Sequence, residues 1–272
     1  MSEVTIAHDR VTRSALARLA ATLDHATPPW PAATLPPLGH WLAFLPDAPQ
    51  SAIGPDGHPD RSDFAPAVGL PRRMWAGSRL TFHHPLPVDA AIERRTTVTR
   101  MERKEGRSGT LLFVTFDHRI LSGGAECIAE EQDVVFRAPP TPGVVQSLPP
   151  GKPAETTPDW TRTIEPTEPL LFRYSALTFN AHRIHIDRDY VRNVEGYADL
   201  VVHGPLLATL LVDLFVRHNP HATVRTFAFR AERPILAPRA FRVCGIPTDR
   251  GATLWAEDAD GAVCLRAELE TG

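Results

Sequence analysis

No apolar run in this chain approaches the roughly 18 residues that a bilayer-spanning helix needs, so no membrane partner is expected. Basic residues are not in excess. Twenty-nine Lys and Arg face 32 Asp and Glu, for a formal net charge of −3, which speaks against nucleic acid and anionic membrane surfaces as partners. Cysteine is scarce: Cys127, Cys244 and Cys264 make an odd count with no CxxC pair. Neither a disulfide framework nor a zinc ribbon follows from that. Cys244 and Cys264 lie in apolar runs and read as small core residues. The opening MSEVTIAHDR has acidic residues and no apolar stretch. It does not read as a secretory signal, and a cytoplasmic location is the expectation. A crisp internal repeat of letters is also missing.

What is present is enough chain, 272 residues and 43% hydrophobic, to bury a substantial core. Proline is abundant, with 27 residues, and a Pro-rich segment divides the sequence into two units of similar size. The expected boundaries are 1–140 for the first unit, 141–158 for the linker and 159–272 for the second. The first unit opens with apolar residues Leu16, Leu19, Ala20 and Leu23 at helical spacing within 11–23. A Gly-, Pro- and Asp-rich stretch, 52–69, reads as a long loop. Strands are expected at 78–83, 91–104, 109–120 and 126–137, with a hairpin at Gly106-Arg-Ser-Gly109.

In the second unit, 170–177 reads as a strand, followed by a histidine-rich loop. Gly204-Pro-Leu-Leu-Ala-Thr-Leu-Leu-Val-Asp-Leu-Phe-Val216 is apolar on nearly every face, which marks a buried helix. Its proline stands in a first turn, where the missing N–H costs nothing. Further strands are expected at 223–233, 239–247, 253–257 and 262–269. A helix and an antiparallel meander, twice over, give an α+β class with two similar halves.

Chemistry concentrates in Phe172-Arg-Tyr-Ser-Ala-Leu-Thr-Phe-Asn-Ala-His-Arg-Ile-His-Ile-Asp187 and in His203-Gly204-Pro205. Asn180 and His185 can be aimed at one point from a tight loop. An imidazole suits proton transfer near neutrality, and an amide beside it can hold a water by donating one hydrogen bond and accepting another. Gly204 opens the buried helix, whose free N–H groups and dipole suit a developing oxyanion. A rival reading gathers His182, His185, Asp187 and His203 around a metal; the preferred one assigns no metal and no cofactor. His203 reads either as a substrate contact or as a cap over the helix start.

At these residues the sequence resembles the MaoC-like, R-specific enoyl-thioester hydratases, whose signature Asp-x-Asn-Pro-(Leu/Ile/Val)-His is followed by His-Gly before a central helix. His185 matches the catalytic histidine and Gly204 the glycine that faces the thioester oxygen. Asn180 stands where the signature has aspartate, and His182-Arg183 replace Asn-Pro. Longer stretches are similar to a narrower branch: Leu70-Pro-Arg-Arg-Met-Trp-Ala-Gly77, Lys104-Glu-Gly-Arg-Ser-Gly109, Glu130-Glu-Gln-Asp-Val-Val-Phe-Arg137 and Leu200-Val-Val-His-Gly-Pro205. That branch comprises mesaconyl-C4-CoA (3-methylfumaryl-CoA) hydratases, itaconyl-CoA hydratases and mitochondrial-type 3-hydroxyacyl-thioester dehydratases.

The resemblance implies a double hotdog: two curved antiparallel sheets, each wrapped around a central helix. It places the catalytic loop in the second half and leaves the first half to shape the substrate channel. It further implies an acyl-CoA substrate and often a homodimer. A dicarboxyl substrate needs a cation. Arg183 is the favoured clamp, with Arg173, Arg72 and Arg73 as other candidates and Trp75 and His203 as further substrate contacts. A brace to Asp187 or Asp199 is the alternative role for Arg183.

Overall fold

The structure, a computed structural model, describes residues 4–59, 70, 72–106, 109–139, 145–146, 148 and 150–272. The first half contains β1 (Thr5–Asp9), α1 (Arg13–Thr22), β2 (Arg72–Phe82), β3 (Ile92–Gly106), β4 (Gly109–Ser122) and β5 (Ala125–Arg137). The second contains β6 (Trp160–Ile164), α2 (Glu168–Leu177), α3 (Arg188–Asn193), α4 (Gly204–His218), β7 (Val224–Ala231), β8 (Phe241–Thr248), β9 (Gly251–Glu257) and β10 (Val263–Thr271).

All ten strands form one antiparallel sheet in the order β1-β3-β4-β5-β2-β7-β10-β9-β8-β6. From each outer edge inward the connectivity is the same, 1-3-4-5-2 and 6-8-9-10-7. The halves are thus two copies of one topology joined edge to edge, with Gly77↔Arg230 through Thr81↔Thr226 as the seam. This is the double hotdog. The expected hairpin closes at Gly106↔Gly109.

The helix at the centre is α4. Every residue from Leu206 to Phe215 is buried, against strands of the second half and β2 of the first. Asp213, buried on this helix, accepts from Arg162 at 2.9 Å and Arg217 at 2.8 Å and lies 2.6 Å from His25 Nε2. That cluster ties the end of α1 to the central helix. At the equivalent place in the first half, between α1 and β2, the described residues hold two 3-10 turns, Gly39–Leu42 and Gln50–Ala52. The three cysteines are free and buried. No helix among the described residues is long and apolar enough to cross a membrane.

One expected strand is a helix instead. Residues 170–177 lie within α2, where Thr167 caps the Leu170 N–H, Glu168 and Pro169 occupy the first turn, and Leu171, Tyr174 and Ser175 form the buried face. That i, i+3, i+4 spacing and the cap outweigh a short apolar run that also fits a strand. Strands β1 and β6, at the two sheet edges, and the short helix α3 were not anticipated from sequence.

Candidate active site

The catalytic loop begins where α2 stops. Phe179 adopts a left-handed φ of 47°, and the Asn180 N–H donates back to the Ser175 carbonyl. The Asn180 Oδ1 then accepts from the His182 N–H at 3.0 Å, a local turn typical of asparagine. A 3-10 turn, Arg183–His185, follows. Asp187 closes it by capping the Tyr190 N–H at the start of α3. Backbone bonds from Val201 N–H to the Ile184 carbonyl and from Val202 N–H to the Ile235 carbonyl hold the next segment against the loop.

His185 is buried, and its Nδ1 donates to the Val201 carbonyl at 2.7 Å. That bond fixes the neutral ring's tautomer and leaves Nε2 as the proton acceptor. The His203 ring stacks on it, centroids 3.6 Å apart. His203 is the N-cap residue of α4, and its Nε2 pairs with Ser175 Oγ at 2.8 Å. Its Nδ1 is buried with no hydrogen-bond partner among the described residues. The stack thus sets the His185 imidazole beside the mouth of α4. There the first helical bond runs from the Leu207 N–H to the His203 carbonyl, so the Gly204 and Leu206 N–H groups precede the ladder and Pro205 has none.

Burial dominates the electrostatics. It pushes His185 down to about 4, against the Val201 hydrogen bond and with help from the nearby charge of His58. His203 and His182 are also held well below the ordinary histidine range, first by burial and then by neighbouring positive charge. All three rings are therefore neutral at neutral pH, the state a general base requires. The unfolded chain binds protons here below pH ~6.5 while the folded chain resists them down to about 4. Stability is thus full above that window and is lost as pH falls through it. Hydration should hold steady from neutrality to about pH 5 and fall towards pH 4, while Tm should begin to fall below pH ~6.5 and go on falling to about pH 4. A rate that halves near pH 6.5 would contradict a buried neutral base.

Gly204 has space around it. Among the described residues, a Cβ built there meets only the Trp75 carbonyl oxygen, at 3.9 Å. Gly204→Ala should leave Tm within about 2 °C of the wild type. The methyl would nonetheless occupy the approach to the helix N–H groups and cost on the order of 100-fold in turnover. Enzyme assay with thermal melting checks both halves of that expectation.

The structure brings some of the other sequence candidates to this place and not others. Trp75, beside a bulge in β2, borders Gly204 through its backbone. Its indole N–H is held by the Gly77 carbonyl and Ser78 Oγ. Arg183 is engaged on every side: Asp187 takes its Nε and Nη2, the Pro55 carbonyl takes Nη1, and the guanidinium lies over the Tyr190 ring at 4.1 Å. Arg72 is paired with Glu195 at 2.6 Å, both largely buried. The charge of Arg73 acts on Asp56 and His182. Arg173 is exposed on α2 and lines a separate groove with Arg18, Phe44 and Leu177; His185, His203 and Gly204 do not line it.

The rival metal set does not converge, because Asp187 caps α3 and binds Arg183 while His185 is turned to Val201. Asp56, His58 and His182 instead present ligand-type atoms within 4.8 Å of one another. The His58 and His182 rings are tilted against each other, centroids 4.0 Å apart and planes at 39°, and His58 Nδ1 is already paired with Asp56 Oδ2 at 3.0 Å. Sequence reasoning missed this first-half contribution. The signal was an Asp-Gly-His triplet inside a segment read only as loop.

Residues 38–237 match the family model of hydroxyacyl-thioester dehydratase type 2. The mesaconyl-C(4)-CoA hydratase of Chloroflexus aurantiacus is 46% identical over 260 residues, 93% of this chain and 90% of that one. The mitochondrial hydroxyacyl-thioester dehydratase type 2 of Schizosaccharomyces pombe is 25% identical and covers 90% of each. The crystal structure of a MaoC-like dehydratase from Phytophthora capsici superposes with a TM-score of 0.69 at 14% identity, covering 100% of this chain and 95% of that one.

Proposed function

Because the chain belongs to the hydroxyacyl-thioester dehydratase type 2 family, we propose that it is a hydro-lyase that adds water reversibly to the double bond of an α,β-unsaturated acyl-CoA. A C5 dicarboxyl monothioester of the mesaconyl-C4-CoA kind is the substrate this reading favours, by likeness to the 46%-identical relative. The second half carries the base and the oxyanion site, and the first half shapes the channel.

The thioester oxygen sits at the Gly204 N–H. His185 Nε2 takes a proton from water as the water oxygen attacks the β-carbon. The alkene electrons move into an enolate that the helix mouth stabilises. Asn180 positions the water through its Nδ2 protons, since its Oδ1 is occupied by the His182 N–H. An amide cannot act as a base, so the burden falls on the imidazole. The observation that carries this reading is the His185 ring fixed by Val201 and stacked on the residue before Gly204.

The substrate's free carboxylate meets the charge of Arg73, which acts on Asp56 and His182; Arg72 is a strut to Glu195, and Arg183 braces the loop. A homodimer working in the cytoplasm belongs to the same reading, and light scattering tests the dimer. The decisive assay follows the enoyl absorbance with mesaconyl-C4-CoA, itaconyl-CoA and crotonyl-CoA. The C5 dicarboxyl thioesters should exceed crotonyl-CoA in kcat/KM by at least ~10-fold, the scale of one charge-assisted contact. A preference for crotonyl-CoA would point to a straight-chain dehydratase, and saturable binding without turnover to a binding protein.

A further inference from the structure

We propose that Asp56 and His58, carried by the first half, supply the site's second acid–base group, with His58 delivering the proton to the α-carbon. This rests on the hydratase reading above.

The need for such a group follows from the residues around His185. Asn180 occupies the position where the resembling signature has a carboxylate, and it exchanges no proton. Asp187 is spent on Arg183 and the α3 cap. Glu195 is spent on Arg72 and on the Tyr190 hydroxyl. Burial pushes the Tyr174 phenol far above its usual range, and His203 Nε2 is held by Ser175. The Asp56–His58 pair sets an imidazole backed by a carboxylate against the ring of His182. Its Nδ1···Oδ2 bond orients the imidazole and makes Nε2 the atom that carries the mobile proton. Asp56 remains a carboxylate: burial works against it, but hydrogen bonds from the His58 side chain and backbone outweigh that cost. It therefore gives the imidazolium a counter-charge.

The loop is built to place this pair. Ile53 bridges Pro59, and the Gly54 N–H donates to the His58 carbonyl at 2.7 Å. The Asp56 carbonyl accepts from the Arg183 N–H at 2.8 Å, and the Pro55 carbonyl accepts from Arg183 Nη1. Gly57 has φ +89°, and a Cβ there would lie 2.0 Å from the Ala181 carbonyl oxygen. Only glycine permits that approach. The result is a file of rings: His58 lies 4.0 Å from His182, and His182 lies 5.4 Å from His185.

Protons balance across the cycle. Water gives one proton to His185 Nε2 and its oxygen to the β-carbon. His58 gives its Nε2 proton to the α-carbon as the enolate collapses back to the thioester. His185 then holds one proton too many and His58 one too few. Neutral His182 passes it between them, accepting on one nitrogen and releasing from the other. The net change is one water added.

The test separates the two half-reactions. A saturated acyl-CoA without the 3-hydroxyl, methylsuccinyl-CoA, can exchange its α-proton with D2O but cannot dehydrate. Wild-type enzyme should exchange it. His58→Gln should slow both exchange and hydration by ~100-fold with KM changed less than ~3-fold, and Asp56→Asn should slow both by at least ~10-fold. His185→Gln should lose hydration yet keep exchange within ~5-fold of the wild type. Wild-type exchange and hydration in His58→Gln and Asp56→Asn would overturn the proposal. So would loss of exchange in His185→Gln, or a wild-type enzyme that hydrates but does not exchange. If the wild type hydrates no enoyl-CoA, the hydratase reading itself fails.

Discussion

Replacing His185 with glutamine should lower hydration by ~100-fold or more and shift Tm by no more than about 3 °C. Glutamine is close to histidine in reach and can still donate to the Val201 carbonyl, the bond that anchors the native ring. It can pack against His203 where the imidazole stacks. What it cannot do is accept a proton from water. The loss should appear in kcat rather than KM, because proton abstraction belongs to the transition state and not to ground-state binding. Near-normal turnover would move the base elsewhere.

The second large effect concerns stability. Arg72→Ala should destabilise the protein by about 3–5 kcal/mol, because it strands a buried carboxylate. Glu195, whose side chain is 7% exposed, would lose its 2.6 Å partner and, among the described residues, keep the hydrogen bond from Tyr190 alone. The pair joins β2 of the first half to the segment after α3, close to the catalytic loop, so its loss should loosen that contact as well. Denaturant melts read the effect. If stability held while KM rose for carboxylated substrates alone, Arg72 would be a substrate clamp rather than a strut.

Much of the fold was legible because its strongest signals are long. The uninterrupted apolar character of 204–216 is visible without neighbours, and it became α4. Alternation along 109–120 became β4, with Leu112, Val114 and Phe116 turned inward. The failures are short elements. Edge strands β1 and β6 are five residues each and are stabilised by pairing to Ile92–Thr96 and Phe241–Gly245, which no local pattern reveals. Helix α2 was mistaken for a strand because Leu170, Leu171 and Phe172 suit either period; the cap at Thr167 decided it.

The candidate site divides in the same way. His185 and Gly204 announced themselves by their setting, an imidazole in a loop and a glycine at the head of a buried helix. Arg183 looked like a clamp because it replaces the signature's proline beside the catalytic His185, and the folded chain commits its guanidinium to Asp187 and Pro55. The Asp56-Gly57-His58 triplet was visible, but its place at the site was illegible because its contacts with Arg183 and His182 lie more than a hundred residues downstream. A contact of that range exists only once the sheet has brought the halves together.

The arrangement of thioester, imidazole and helix mouth is tested most directly by a crystal structure of the His185→Gln variant with an enoyl-CoA bound. The account predicts the thioester oxygen within about 3.2 Å of the Gly204 nitrogen and the β-carbon facing the position of the native Nε2. An acyl chain lying instead in the groove beside Arg18 and Arg173, with its carbonyl remote from α4, would contradict it.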